Sequence, residues 1–545
     1  MIFTHTHKPG FTPGYTRKLS DVLRMPSLLI LLTGAALLAG SARAAQLDTL
    51  IRNGRVVDGT GSPAFFADVG IAEGRIVAIG RITNSARREL DARGLIVAPG
   101  FIDLHTHADD VADQPLAENF LRMGVTTVVV GNCGGSTLNV KKFFHEIEDK
   151  RVSLNVATLI GHNSVREEAM GGSFDRDPTE KELSRMRELV DRAMADGAQG
   201  LSTGLIYLPG TFSKTEEIIE LAKVAARHGG RYATHMRNEG THIFDALAET
   251  MRIGREAGLP VHVSHVKLGG ERSWGQADKV LAFLEDTRRS GLDVTWDQYA
   301  YTASSTSLGQ LIPDSARDGG NKKFIARLAD EKLKAEIIQT MKAKLAERGG
   351  TNYAYAVIAS YKHDRKLNGK NIVEAAKLLR GADTLDDQIE TILEIQKNGG
   401  GSGVFHGMNE TDLQMFMRHP FTAVACDSGI REFGKEVPHP RGYGNNARVL
   451  GRYVRELGVL RLEDAIRKMT SLPANDFHFE GRGLLKPGNW ADIVVFDPAT
   501  VRENSTYADP HHYATGFAFV LVNGTVVVDQ DKHTGARPGQ ALRHP

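Results

Sequence analysis

Between residues 99 and 430 the chain switches repeatedly between two hydrophobic rhythms. Apolar residues recur at helical spacing through TEKELSRMRELVDRAMADG (179–197), KTEEIIELAKVAARHG (214–229), THIFDALAETMRIGREAG (241–258) and QADKVLAFLEDTRRSG (276–291). Each stretch ends in glycine, the residue best suited to the left-handed turn that closes a helix. Each then leads into a short apolar run: AQGLSTGLIY, RYATHM, PVHVSHVK and LDVTWDQYAY. Three similar runs lie upstream, FIDLHTH, TTVVVGNC and LNVATLIGH, and one downstream, FTAVACDSG. Eight such strands with intervening helices predict an α/β fold, a (β/α)8 barrel of the TIM type.

The two ends follow a different rhythm. Residues 47–98 alternate apolar and polar positions around Asn-Gly and Glu-Gly turns, in IRNGRVVDGTG and VGIAEGRIVAIG. The far end echoes them in ADIVVFDP (491–498) and LVNGTVVVDQ (521–530). A small β-sandwich built from both termini is expected, with 45–98 its first part and 481–545 its second. The barrel would occupy 99–480. Residues 308–400 break the rhythm, beginning near the polar DSARDGGNKK, and read as an insertion over the mouth of the site.

Composition narrows the class. The chain has 67 basic and 66 acidic residues, which leaves no electrostatic footprint for nucleic acid. At the N-terminus Arg17, Lys18 and Arg24 precede the apolar stretch 27–39, and Ala42-Arg43-Ala44 offers small residues for cleavage. This order predicts a signal peptide over 1–44, a periplasmic or secreted protein, and no stable membrane anchor after cleavage. Ser41 stands where a lipid-bearing cysteine would be. Only two cysteines occur, Cys133 and Cys426. In an exported protein a pair invites a disulfide, but both sit beside candidate site residues.

Those candidates lie where the barrel strands should end. His105-Thr106-His107, Cys133, His235 and His265 are metal-ligand types, and the C-terminal ends of barrel strands gather on one face. Alternate residues of a strand face the same way, so His105 and His107 both aim inward. Cysteine with two histidines suits zinc and leaves a coordination position open. The set suffices for one tight Zn²⁺, with donors to spare for a second, weaker one. Asp427 ends the predicted eighth strand. A carboxylate there can take a proton from attacking water and return it to a leaving group; the competing role is a helix cap.

The ensemble APGFIDLHTH, GNCG, YATHMR, VSHVK and a strand-end aspartate resembles the amidohydrolase superfamily. GNCG, GLIYLPG, QYAYTASST and HPRGYG resemble the N-acyl-D-amino-acid deacylases in particular, from about residue 47 onward. The resemblance implies a metal-bearing barrel whose tight zinc is held by Cys133, His235 and His265. His105 and His107 would serve a second position, and Asp427 would be the general acid/base. The substrate would be a small N-acyl-D-amino acid. Lys267, Arg441, Tyr207 and either Tyr299 or Tyr301 would then bind its carboxylate or scissile carbonyl. QYAY departs from the more usual Tyr-Pro-Tyr, leaving the inward tyrosine open. An acidic substrate side chain would need a basic residue, with Arg317 and Lys322 as candidates. The same metal site also suits a cyclic-amide hydrolase or a D-residue dipeptidase, and a non-catalytic metal-binding barrel would lack a ligand or the acid.

Overall fold

The computed structural model describes residues 46–545. The expected leader, 1–44, lies outside the described residues. Eight parallel strands form the barrel: Phe101–Asp103, Val125–Val130, the interrupted third strand Asn155–Thr158 with Ile160–Gly161, then Gly200–Gly204, Arg231–His235, Val261–Val263, Val294–Gln298 and Thr422–Val424. The ring closes between first and eighth strand ends. Asp427 N–H donates to the His105 carbonyl at 2.9 Å, and His107 N–H to the Ser428 carbonyl at 2.9 Å. Closure therefore brings the His-x-His segment against the catalytic candidate directly.

The predicted helices form at Glu180–Ala195, Thr215–Arg227, Ile243–Ala257 and Ala277–Arg289. In the first, Thr179 and Glu182 make a reciprocal capping box, and Met186, Leu189, Val190, Ala193 and Met194 face the barrel. That spacing of three and four gives one apolar stripe, whose burial holds the helix against the strands.

Nine strands from the two chain ends form one sheet. The ends join where Ile493–Phe496 pairs antiparallel with Ile96–Pro99, in the register Val494 opposite Ala98. The long strand Leu47–Val56 pairs with Ala86–Asp91 along its first half and with Ile96–Pro99 beyond. One face packs Ile96, Ala98, Phe496 and Val520 into the barrel core. The other gathers Ile51, Val69, Ile493 and Phe519 into a separate core around which the sheet curls. After Lys532–His533 the chain leaves this sheet. Gln540 and Leu542 bond to Val156, filling the gap beside the third barrel strand.

Between the seventh and eighth strands lies a subdomain with its own core. It holds an antiparallel sheet of Ala303–Ser307, Ser402–His406 and Ala356–Ser360, with helices that include Glu331–Glu347 and Leu385–Lys397.

Candidate active site

Three candidate residues are held in left-handed backbone: Cys133 at φ 53°, His265 at 35° and Asp427 at 51°. Such conformations cost roughly 1–3 kcal/mol each in non-glycine residues, so the surrounding frame must impose them. Each lies just past a strand, where the chain turns to aim its side chain across the barrel mouth. Gly204 makes room for one of these turns; a Cβ there would stand 2.1 Å from the Cys133 carbonyl oxygen.

The five donor residues converge. Cys133 Sγ lies 3.2 Å from His105 Nε2, 3.7 Å from His265 Nε2 and 3.8 Å from His235 Nδ1. A tetrahedral zinc, with Zn–S about 2.3 Å and Zn–N about 2.0–2.1 Å, sets such donors roughly 3.5 Å apart. Cys133, His235 and His265 fit that spacing; His105, His107 and Cys133 form an adjoining set. His107 is the exposed member, with 41% of its side chain accessible, against 0% for His105. Both cysteines are free thiols. Burial pushes the Cys133 thiol well up, with Asp427 adding to the effect. A bound cation reverses that balance and favours the thiolate ligand.

Asp427 stands beside this set, 3.2 Å from His107 Nε2 and 3.6 Å from His105 Nε2. No helix begins there; the next one starts at Arg441. Burial alone would raise its carboxyl, but Arg441 above all, then His105, outweigh burial and hold it well below the usual range. These neighbours thus favour the carboxylate form.

Residues not singled out from the sequence complete the centre. The Glu239 carboxylate faces the outer nitrogens of two ligands, 2.9 Å from His265 Nδ1 and 3.4 Å from His235 Nε2, and also binds the Lys267 ammonium. Asp297, on the seventh strand, lies 3.3 Å from His105 Nδ1 and 2.8 Å from His262 Nε2. His262 Nδ1 in turn lies 2.8 Å from Asp476, which Thr295 and Arg231 also bind. Two signals were available: an acid four residues past a candidate ligand, and an acid inside a predicted strand. Carboxylates behind metal-ligating histidines fix ring orientation, and losing one typically costs about 10–100-fold in metal affinity. Glu239→Gln is expected to show a loss of that size in competition with a chelator; unchanged affinity would remove Glu239 from this role.

The His262 chain has a pH signature. Burial disfavours its imidazolium, but Asp476 and Asp297 together raise it to about 9 from 6.5. The folded state binds this proton more tightly than the unfolded state. The stabilisation is full below pH 6.5 and lost as pH rises through 9, on the order of 3 kcal/mol in total. Urea midpoints of the wild type and His262→Asn are expected to converge between pH 6.5 and 9.5. A gap that stays constant would contradict the charged assignment.

A cavity of about 350 Å³ opens beside this centre, reaching Tyr207, His235, His265, Lys267 and Asp427. Its outer wall comes from the subdomain, including Leu311, Leu345, Tyr355 and Phe405. Tyr207 OH accepts from Thr306 Oγ1 at 3.1 Å and lies 3.4 Å from His235 Nδ1. Burial pushes the Tyr207 hydroxyl well up, so it stays protonated and able to donate. Arg441 is buried behind Asp427, its guanidinium 4.7 Å from the Tyr299 ring. Arg441 Nη1 is 2.9 Å from Asp427, yet neither Nη1 nor Nε has an aligned acceptor. The pair is close in distance but not directed along an N–H.

Neither Arg441 nor Tyr299 lines the cavity; both pack behind Asp427, and three further expected residues stand elsewhere. Tyr301 does not line the cavity. The seventh strand ends at Gln298, the alternation lapses, and Tyr301 packs on His439 and under Arg448. Arg317 pairs with Asp314 one helical turn away, and Lys322 is exposed on the helix Asn321–Ala329; neither reaches the cavity wall.

Several known proteins are similar to this chain over most of its length. The D-aminoacylase of Alcaligenes xylosoxydans xylosoxydans is 35% identical over 521 residues, spanning 91% of this chain and 97% of that protein. The N-acyl-D-glutamate deacylase of the same organism is 36% identical over 526 residues, spanning 91% and 97%. The crystal structure of the N-acyl-D-glutamate deacylase from Bordetella bronchiseptica, complexed with zinc and a phosphonate mimic of the tetrahedral intermediate, matches with a TM-score of 0.78 at 34% identity. It covers 91% of this chain and 100% of that one. The model of the amidohydrolase family matches residues 88–528, and with these relatives it shows that the chain belongs to that family.

Proposed function

We propose that this protein hydrolyses the amide bond of N-acyl-D-amino acids, releasing a carboxylate and a free D-amino acid. The observation that carries the reading is Asp427, a carboxylate between the His105–His107 pair and a buried arginine with unused donors. Zinc held by Cys133, His235 and His265, with His105 and His107 available to a second ion, would supply Lewis acidity toward the scissile carbonyl.

The chain's own groups do the rest. Asp427 takes a proton from the attacking water as the new C–O bond forms. It returns that proton to the nitrogen as the C–N bond breaks, so the amine leaves neutral. Tyr207, kept protonated by burial, donates toward the carbonyl oxygen as negative charge grows there. Arg441 already faces Asp427 at 2.9 Å, but its Nε and Nη1 have no aligned acceptor, and these donors turn to the substrate's α-carboxylate. Lys267, shared with Glu239, adds positive charge on the same side. Tyr299 supports the Arg441 guanidinium from beneath.

A substrate panel tests the reading. N-acetyl-D-methionine is expected to turn over, while a hydantoin and a D-residue dipeptide react far more slowly. Preferential turnover of the hydantoin or the dipeptide would assign this metal site to that other amide class.

A further inference from the structure

The cavity's outer wall, from the subdomain and the segment before the seventh strand, carries cations with no ion-pair partner among the described residues. Five lysine and arginine side chains reach the cavity. Arg237 is bound through two nitrogens by Glu249, each at 2.9 Å, and Lys267 is paired with Glu239. Arg272, Lys344 and Arg348 form no ion pair among the described residues. The acids beside them are engaged elsewhere. Asp314 serves Arg317 and Thr211; Glu347 accepts from Thr241 at 2.8 Å and keeps its charge, but makes no ion pair with Lys344 or Arg348.

Arg348 is the best-seated of the three. Its backbone caps the helix Glu331–Glu347, which fixes its Cα. Its guanidinium carbon lies 5.0 Å from the centroid of the Tyr355 ring, and that ring packs against Phe405. Gly407 makes the space: a Cβ there would stand 2.8 Å from Arg348 Nη2. Gly407 is itself pinned, its carbonyl accepting from Gly270 N–H at 2.8 Å and Trp274 Nε1 at 3.0 Å. The guanidinium is thus held by stacking and shape rather than by a counter-charge. Stacking leaves the edge donors of a guanidinium free, and the planar fork matches a carboxylate. With Leu345 and Phe405 nearby, an apolar guest would strip water from this cation without replacing it, and a cationic guest would be repelled.

We propose that the preferred substrate carries an acidic side chain, whose terminal carboxylate is taken by Arg348 while Lys344 and Arg272 raise the local potential. This rests on the N-acyl-D-amino acid reading above and names its substrate class. The expected geometry spans two anchors: Arg441 for the α-carboxylate at the barrel, Arg348 for the side-chain carboxylate at the subdomain.

The test compares N-acetyl-D-glutamate with its neutral isostere N-acetyl-D-glutamine, and with N-acetyl-D-methionine. The wild type is expected to favour glutamate over glutamine in kcat/KM by about tenfold or more, mostly through KM. Arg348→Gln is expected to collapse that ratio toward one, and Arg348→Lys to leave an intermediate ratio, since charge without the fork remains. Lys322→Gln, an equal charge loss outside the cavity, is expected to keep the ratio. A melting curve on each variant separates misfolding from altered preference, and Arg348→Lys carries the test if Arg348→Gln does not fold. Turnover of the methionine compound with glutamine equal to or better than glutamate would overturn this inference and leave the proposed function standing. Failure to turn over all three would overturn both.

Discussion

Replacing Asp427 with Asn is expected to lower kcat by about 10²–10⁴-fold while zinc content and fold are retained. The amide keeps the size and position of the carboxylate but cannot take a proton from attacking water. Asp427 groups with His105 and His265 as a further set of donors but is not part of Cys133–His235–His265, so the tight metal is expected to stay on those three. The acid is needed during reaction more than during binding, so the loss should appear in kcat and in kcat/KM together, with KM changed little. Arg441, however, loses its facing charge, and the strength of its hold on the α-carboxylate is expected to rise modestly. Near-wild-type turnover by Asp427→Asn would show that another group is the base and would leave the eighth strand end without its assigned role.

Cys133→Ala is expected to lose both the metal and turnover. Cys133 Sγ lies within 4 Å of His105, His235 and His265 alike, so its removal opens the centre of the cluster. The affinity loss should exceed the roughly 10–100-fold typical of outer-shell partners, because a direct thiolate bond disappears. Zinc content by elemental analysis, beside activity, reads the result. Stability is expected to change less, since alanine relieves a buried thiol held at positive φ only in part and leaves the strand ends paired. A zinc-replete, fully active Cys133→Ala protein would contradict the ligand assignment.

The contrast between what the sequence predicts and what the structure adds follows from range. His105, His107, Cys133, His235, His265 and Asp427 could be read from the chain because each ends an apolar run, and barrel geometry sends all such ends to one face. The helices between them were equally legible, since their glycine stops and apolar stripes are local features. The supporting acids were less so. Glu239 stands only four residues past His235, but its contact with His265 as well appears only in the fold, and Asp476 reaches His262 from a helix more than two hundred residues away in sequence. Tyr299 and Tyr301 mark a limit of the same pattern: the strand ends at Gln298, so alternation does not decide which of them faces inward.

The subdomain was the least legible part. Its strands Ala303–Ser307 and Ser402–His406 are short and rich in serine, glycine and threonine, so they show no apolar alternation. They pair across nearly a hundred residues of intervening chain. Arg317 and Lys322 lie in the polar stretch that draws attention in the sequence, whereas Arg348 sits at the end of an ordinary-looking helix. Only the folded chain shows that this helix end looks into the cavity.

The most direct test of the central claim is kcat/KM for the two enantiomers of N-acetylmethionine, measured on zinc-replete enzyme. With the carbonyl held at the metal centre and the α-carboxylate at Arg441, inverting the α-carbon sends the side chain into the wall at Tyr207 or pulls the carbonyl away. A misplacement of about 1 Å costs on the order of 10² in rate. The expected result is a preference for the D enantiomer of about 10²-fold or more. Equal kcat/KM for the two enantiomers would contradict the assignment to N-acyl-D-amino acids, even with the metal and Asp427 performing as described.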